Sequence, residues 1–283
     1  MQIGVNAWVW TSPLTTEELE KLAPQVKGMG FDWLEIPLES LEDMDHQRGG
    51  KILKEYGLGV STCAAMGEDR DLIHPDPDIR ANGMAYIKGA IQATHQLGAT
   101  NFVGPLYSAV GRTWQSTIEE RARDTDLLVN NLTELAEFAA DYDVVLCLEP
   151  LNRFETSFIN LAEQALPIIE RVDRANCQMM LDTFHMNIEE KSLGNTIRAV
   201  GSHLRHVHTC ENDRGAPGTG NIPWDEVAQA LKDIDYQGPV VIESFTAKVQ
   251  SIARAAAIWR SLAPSQDALA EDGLKFLRQL LNE

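Results

Sequence analysis

The sequence predicts an α/β fold in which eight parallel strands close into a barrel and each strand is followed by helical sequence. Eight short runs of apolar and β-branched residues alternate with longer amphipathic stretches along the whole chain. The 283 residues also give about 35 residues per strand–helix unit, a size that suits a (β/α)8 barrel. We therefore expect residues 1–283 to form one domain.

The strands are expected at about 2–9, 32–36, 58–63, 100–104, 143–148, 177–181, 204–208 and 239–243. Thr15, followed by acidic residues, predicts the start of a helix that runs to Met29. Further helices are predicted over 78–97 and 118–142, and another begins at Pro223. Glycines that follow helices and precede strands are expected to end those helices: Gly30, Gly57 and Gly98.

The alternative fold is a doubly wound open sheet, which usually has a glycine-rich turn after its first strand. Here the first strand leads into Asn-Ala-Trp-Val-Trp at 6–10, so the barrel is favoured. An additional helix over 267–281 is expected to pack outside the barrel or against a partner subunit.

The net charge excludes two classes of partner. The chain has 42 acidic and 24 basic residues, which gives −18, and such a surface repels both nucleic acid and anionic lipid. It has no apolar run long enough to cross a membrane and no basic and apolar leader at its start. We expect a cytoplasmic protein with reduced thiols, because the cysteines are widely separated: Cys63, Cys147, Cys177 and Cys210.

Four residues of metal-binding type stand at the ends of four consecutive predicted strands. Glu149, Asp182, His208 and Glu243 are separated by 33, 26 and 35 residues, each about one strand–helix unit. The carboxyl ends of barrel strands meet at one mouth, where enzymes of this fold have their active sites. We therefore expect these side chains to converge there.

Three carboxylates and an imidazole in one closed cavity need a cation, because otherwise their charges favour protonation. Three oxygen donors and one nitrogen donor favour Mn²⁺, Mg²⁺ or Co²⁺ over a closed structural zinc site. The simpler interpretation is that each residue merely caps its strand. Four such residues in register on neighbouring strands favour the metal.

Three further polar residues follow these strands: Glu155, His185 and Arg214. They could surround a metal with hydrogen-bonding groups suited to a polyhydroxylated ligand. Glu155 could instead pair with Arg153, and Arg214 could be a simple loop charge. His206 shares a face with the candidate ligand two residues later, and we expect it to fill a layer of the barrel.

The most characteristic segments are 148–155, 181–190, 206–226 and 243–245. Through them the chain resembles the ketose 3-epimerases, the D-tagatose and D-psicose (D-allulose) 3-epimerase group of the xylose isomerase-like barrels. The resemblance covers nearly the whole chain, and the string LDTFHMNIEE at 181–190 is its most specific part. It implies an isomerase that interconverts C3 epimers of free ketohexoses or ketopentoses, such as D-tagatose, D-fructose or L-ribulose.

The resemblance also implies a role for individual residues. Glu149, Asp182, His208 and Glu243 match the metal ligands of the family, and the two glutamates also match its acid/base pair. One divalent metal per subunit is implied, with Mn²⁺ ahead of Co²⁺ or Mg²⁺. We expect a homodimer or homotetramer.

Other positions are expected to contact the sugar. Glu155, His185 and Arg214 match residues that hold the O1–O3 end, and Phe245 matches an aromatic residue of the pocket. The distal end is expected to border residues at the ends of predicted strands 1, 3 and 4: Trp8, Cys63 and Tyr107.

The chemistry of C3 epimerisation suits this set. A proton beside the C2 carbonyl is removed on one face and returned on the other, so two carboxylates and an electrophile are needed.

Related reactions remain alternatives: aldose–ketose isomerisation, hydroxypyruvate isomerisation and inosose dehydration. A metal-dependent phosphodiesterase acting on abasic DNA is disfavoured by the acidic charge and the single ligand histidine. A sugar-binding protein without catalysis would not need two glutamates flanking its ligand.

Overall fold

The computed structural model describes residues 1–282 and has eight parallel strands that close into a barrel in sequence order. The prediction of a (β/α)8 barrel is therefore confirmed. The strands are β1 Ile3–Asn6, β2 Trp33–Pro37, β3 Gly59–Cys63, β4 Asn101–Gly104, β5 Val145–Leu148, β6 Cys177–Asp182, β7 Leu204–Thr209 and β8 Val240–Ile242.

Ten α-helices lie outside the strands within residues 1–282. They are α1 Thr16–Met29, α2 His46–Glu55, α3 Pro77–Leu97, α4 Ile118–Ala140, α5 Ala162–Val172, α6 Thr183–Glu189, α7 Leu193–Val200, α8 Trp224–Asp233, α9 Gln250–Ala255 and α10 Gln266–Asn282. None of these helices has the length and apolar character needed to cross a membrane.

Local sequence signals fix several helix ends. The Thr15 side chain accepts a hydrogen bond from the backbone of Glu18 at the start of α1, as expected of an N-cap. Gly30 and Gly98 end α1 and α3 with φ of 102° and 80°, a left-handed conformation that glycine adopts without steric cost. Gly57 also has positive φ, one residue beyond the cap of α2.

The first strand is shorter than the sequence predicts. It ends at Asn6, and a 3-10 helix occupies Ala7–Val9. The side-chain oxygen of Asn6 accepts a hydrogen bond of 2.8 Å from the backbone of Trp8, which turns the chain out of the strand. As a result Trp8 lies over the mouth of the barrel instead of continuing β1.

The C-terminal helix α10 packs on this chain's own barrel. Leu269, Leu274 and Leu277 are buried, and the helix lies against β1, β8 and α8. It thereby occupies the place of the eighth helix in the outer ring. The short α6 and α9 are the additional helices, and both follow strands that end at the mouth.

The barrel interior below the mouth is polar. Asn6, Glu35 and Ser61 are register neighbours on β1, β2 and β3, and all three are fully buried. His206 and His208 project into the same interior from β7 and are also buried. Apolar side chains such as Leu34 and Leu146 fill the layer between strands and helices.

Gly104 at the end of β4 provides a test of the packing that positions this mouth. It has φ of 129°, and a Cβ there would overlap the carbonyl oxygen of Ala64. We expect Gly104→Ala to lower the free energy of unfolding by about 3 kcal/mol, because backbone strain and overpacking add.

Gly98→Ala is the matched control. It also has positive φ, but a Cβ there would meet nothing within 4 Å, so we expect a loss of only about 1 kcal/mol. Urea denaturation of both variants measures the difference, and equal losses would contradict the packing argument.

Candidate active site

The barrel register brings the four strand-end residues to one mouth. Asp182 ends β6 and is paired with His208 on β7. Thr209 is paired with Ile242, the last residue of β8, so Glu243 follows at a similar height. Glu149 directly follows β5. All four are at most 5% exposed.

The candidate ligand atoms lie close together. His208 Nδ1 is 3.3 Å from Glu243 Oε1 and 3.9 Å from Asp182 Oδ2. One candidate ligand atom from each of these three residues lies within 4.8 Å of the others. Glu149, Asp182 and His185 form a second such group, so Asp182 joins the two. This spacing suits several ligands around one ion.

His208 shows most directly that the site fits a metal ion. Its Nε2 is 2.6 Å from Glu35 Oε1, and a carboxylate can only accept, so a proton lies on Nε2. Its Nδ1 is buried and has no hydrogen-bond partner among residues 1–282. Nδ1 therefore faces Asp182 and Glu243, where a metal ion could displace a proton and bind, in the carboxylate–histidine arrangement common at metal sites.

The surroundings of His208 Nδ1 also attract a proton. Burial opposes a charge on His208, but the negative charges of Glu35 and Glu243 outweigh it and raise the pKa of His208 well above its usual value. Nδ1 thus lies where any positive charge is stabilised, whether a proton or a metal ion.

The two candidate acid/base residues have opposite pKa shifts. Burial and the charge of Glu243 raise the pKa of Glu149 well above its usual value. Burial also opposes ionisation of Glu243, but His208 and Arg214 outweigh it and lower its pKa to about 2. Different surroundings thus favour the protonated form of one carboxyl and the ionised form of the other, which is the pairing of an acid with a base.

Arg214 belongs to the site and is not a loop charge. Its Nη1 donates to Asp182 Oδ2 at 2.6 Å and to Glu243 Oε2 at 2.7 Å, and the residue is 6% exposed. Its φ of 68° is unusual for a residue with a side chain. Such strain is typical of functional positions, and here it belongs to a turn that directs the guanidinium into the barrel.

Glu155 also faces the cavity. Arg153 pairs with Glu189 through two hydrogen bonds of 2.9 Å, so the alternative pairing of Arg153 with Glu155 is wrong. Glu155 Oε1 instead accepts from Asn152 Nδ2 at 2.8 Å. Burial raises the pKa of Glu155.

His185 is a neutral imidazole beside the cavity. Burial and the neighbouring Arg214 lower its pKa to about 3. Two donors approach the ring: the backbone N–H of Asn152 is 3.0 Å from Nδ1, and Arg214 Nη2 is 3.0 Å from Nε2. Nε2 is also 3.7 Å from Glu149 Oε1, and His185 lines the cavity.

These residues line a cavity of about 530 Å³, which is in the usual range for small-molecule sites. Its outer wall is apolar, and the rings of Trp8 and Phe245 are 5.5 Å apart. Cys63 also lines it. The cavity is bordered further by Met66, Phe154 and Ile252.

Tyr107 does not line the cavity, contrary to the sequence-based expectation. It is fully buried behind the wall, and its hydroxyl donates to the carbonyl oxygen of Glu149 at 2.9 Å. The chain turns at Gly104 and buries the ring against Phe158. Tyr107 therefore supports the backbone of Glu149 and does not reach a ligand.

Two residues that bond side chains of the site were not identified from the sequence. Asn152 orients both Glu155 and His185, and no sequence signal singled it out. Glu35 is fully buried in the barrel interior and bonds His208. Its signal was present, because a glutamate between Leu34 and Ile36 places a charge inside an apolar strand.

Residues 24–280 match the model of the xylose isomerase-like TIM barrel family. The chain therefore belongs to the xylose isomerase-like TIM barrels.

Individual relatives identify a narrower group within this family. A probable ketose 3-epimerase of Synechocystis is 33% identical over 99% of this chain and 96% of its own length. A D-psicose 3-epimerase of Ruminiclostridium cellulolyticum is 36% identical over 91% of this chain and 90% of its own. A crystal structure of D-allulose 3-epimerase from Methylomonas in complex with D-allulose has a TM-score of 0.91 at 32% identity and covers 99% and 96% of the two chains. Within the barrel family, this chain belongs to the ketose 3-epimerases, which are carbohydrate isomerases.

The position of Tyr107 predicts an effect on stability with no effect on sugar binding. We expect Tyr107→Phe to cost about 1–2 kcal/mol of unfolding free energy, because buried carbonyl oxygens lose their donor. KM for a ketose substrate should stay within about twofold, since the ring does not reach the cavity. Thermal unfolding and steady-state kinetics check both; a large rise in KM with unchanged stability would restore the substrate-binding role.

Proposed function

We propose that this protein interconverts C3 epimers of free ketoses with one divalent metal ion held by Glu149, Asp182, His208 and Glu243. The observation that carries the metal site is the position of Nδ1 of buried His208, which faces two carboxylates and has no hydrogen-bond partner among residues 1–282. A bound divalent ion would polarise the C2 carbonyl and stabilise the negative charge that develops on its oxygen.

Glu149 and Glu243 would perform the proton transfer. They come from β5 and β8, so they approach a sugar in the cavity from different sides. One carboxylate removes the proton from C3, and the other carboxyl group donates a proton to the opposite face. The two groups have then exchanged protonation states, as the reverse reaction requires, and the epimer that enters decides which one acts as base.

His185 and Arg214 would hold the sugar end that reacts. Nε2 of His185 and the guanidinium of Arg214 both lie beside the two glutamates. The guanidinium can donate hydrogen bonds to O1–O3 and stabilise negative charge on these oxygens, and the imidazole can bond a sugar hydroxyl. Glu155, held by Asn152, can accept a hydrogen bond from a sugar hydroxyl.

The lining of the cavity favours a free sugar over a sugar phosphate. Among the described residues that line it, Arg214 is the one with a permanent positive charge. It already bonds Asp182 and Glu243, and phosphate recognition usually needs further cationic or backbone donors. The apolar contacts of Trp8 and Phe245 suit the carbon chain at C4–C6.

The donor set of three carboxylates and an imidazole favours Mn²⁺, with Co²⁺ and Mg²⁺ as alternatives. We further propose a cytoplasmic homodimer or homotetramer. The four cysteines support a reducing compartment, since in the described part of the chain they are all free and buried.

Product analysis tests the reaction. The protein is incubated with Mn²⁺ and, separately, D-tagatose, D-fructose, D-allulose and L-ribulose, and the products are identified by chromatography. In D₂O, we expect deuterium at C3 of the product. An aldose product, dehydration, or deuterium at another carbon would favour one of the related barrel reactions instead.

Both proposed acid/base residues are expected to be essential. Glu149→Gln and Glu243→Gln each remove a group that transfers a proton, so we expect kcat to fall about 10²–10⁴-fold. Glu226→Gln is the control, because Glu226 bonds Ser192 on the outer helices and lies outside the cavity. Activity within tenfold of wild type in either glutamine variant would contradict the two-carboxylate scheme.

Metal removal is expected to abolish turnover. After treatment with a chelator and dialysis, we expect no measurable epimerisation, because hydrogen bonds from Arg214 without a divalent ion would polarise the C2 carbonyl too weakly. Added Mn²⁺ or Co²⁺ should restore it, and product formation over time provides the measurement. Full activity of a metal-free protein, verified by elemental analysis, would contradict the metal requirement.

A further inference from the structure

We propose that Glu35 is a positioning residue that sets the metal affinity of the site by fixing the proton of His208 on Nε2. This inference rests on the proposed metal site and assigns a role to a residue that contacts neither the metal position nor the cavity. It follows from the hydrogen bonds inside the barrel, one layer below the mouth.

Side chains from the two strands that neighbour β2 hold the Glu35 carboxylate. Its Oε1 accepts from Asn6 Nδ2 at 2.8 Å, and its Oε2 accepts from Ser61 Oγ at 2.8 Å. Asn6 and Ser61 are the register partners of Glu35 on β1 and β3. The strand pairing of the barrel therefore holds this carboxylate in one place.

Across the barrel, the carboxylate meets two imidazoles on β7. His208 Nε2 bonds Oε1 at 2.6 Å. His206 Nε2 lies 2.9 Å from Oε2 but is not oriented for a hydrogen bond. Of the two rings, His208 is thus the one whose proton position Glu35 determines.

The consequence appears at the other ring nitrogen. With one proton held on Nε2, His208 turns Nδ1 toward Asp182 and Glu243, so a metal ion that displaces a proton from Nδ1 can bind there. The carboxylate also makes the ring a stronger electron donor, as such outer partners do at metal sites. Without this acceptor, Nδ1 could keep the proton and bind no metal.

Glu35→Gln tests the charge with little change in volume. We expect its Mn²⁺ dissociation constant, measured by calorimetry on the chelator-treated protein, to rise about 10–100-fold. The wild-type protein should bind one Mn²⁺ per chain. An unchanged dissociation constant in Glu35→Gln would overturn the proposal.

Asp124→Asn is the matched control for the loss of a buried carboxylate. Asp124 lies on α4, outside the barrel interior; it is 3% exposed and bonds Arg112 at 2.8 Å. We expect thermal unfolding of the metal-free protein to show destabilisation in both variants. The rise in Mn²⁺ dissociation constant should occur only in Glu35→Gln; an equal rise in both would show a merely structural effect and overturn the proposal.

Ser61→Ala keeps the inference testable if Glu35→Gln does not fold. It removes one anchor and leaves the charge, so we expect the Mn²⁺ dissociation constant to rise about twofold to fivefold, and an unchanged value would overturn the proposal.

The number of Mn²⁺ ions bound by the wild-type protein is a further test. Two Mn²⁺ per wild-type chain would also overturn the proposal, because Glu35, His206 and His208 could then hold a second ion. Failure of the wild-type protein to bind Mn²⁺ would instead contradict the proposed metal site itself.

Discussion

Negative charge gathered in a buried space is the constraint on which the site depends. Glu149, Asp182 and Glu243 are nearly inaccessible at the carboxyl ends of their strands. Like charges this close cannot all remain ionised without positive charge between them. The metal-free protein supplies part of that charge through Arg214 and His208, and a divalent ion would supply it more completely.

Two layers of side chains in the barrel make this concentration of charge possible. The upper layer presents groups to the cavity, while the lower layer fixes their orientation through bonds that solvent does not reach. Glu35 fixes His208 from below, and Tyr107 holds the backbone of Glu149 from behind. Their cost in buried polar groups is offset because each is paired. A ligand set held by such partners needs little rearrangement to bind an ion.

Much of the architecture was predictable because it depends on local signals. Alternating apolar strands and amphipathic helices, with caps such as Thr15 and Gly30, determine the elements and their order. The end of β1 was not predicted, because the bond from Asn6 to the Trp8 backbone competes with strand pairing. Likewise, α10 could be recognised as a helix, but its place in the ring depends on contacts with β1, β8 and α8.

The sequence by itself determined the barrel, the family and the group of strand-end ligands, since residues one strand–helix unit apart must meet at one mouth. Only the tertiary structure decided how the side chains are used. It paired Arg153 with Glu189, buried Tyr107 behind the wall, and joined Glu35 to His208 across 173 positions of sequence. Such contacts depend on the curvature and register of the closed barrel, which bring distant strands face to face and leave no periodic signal in the chain.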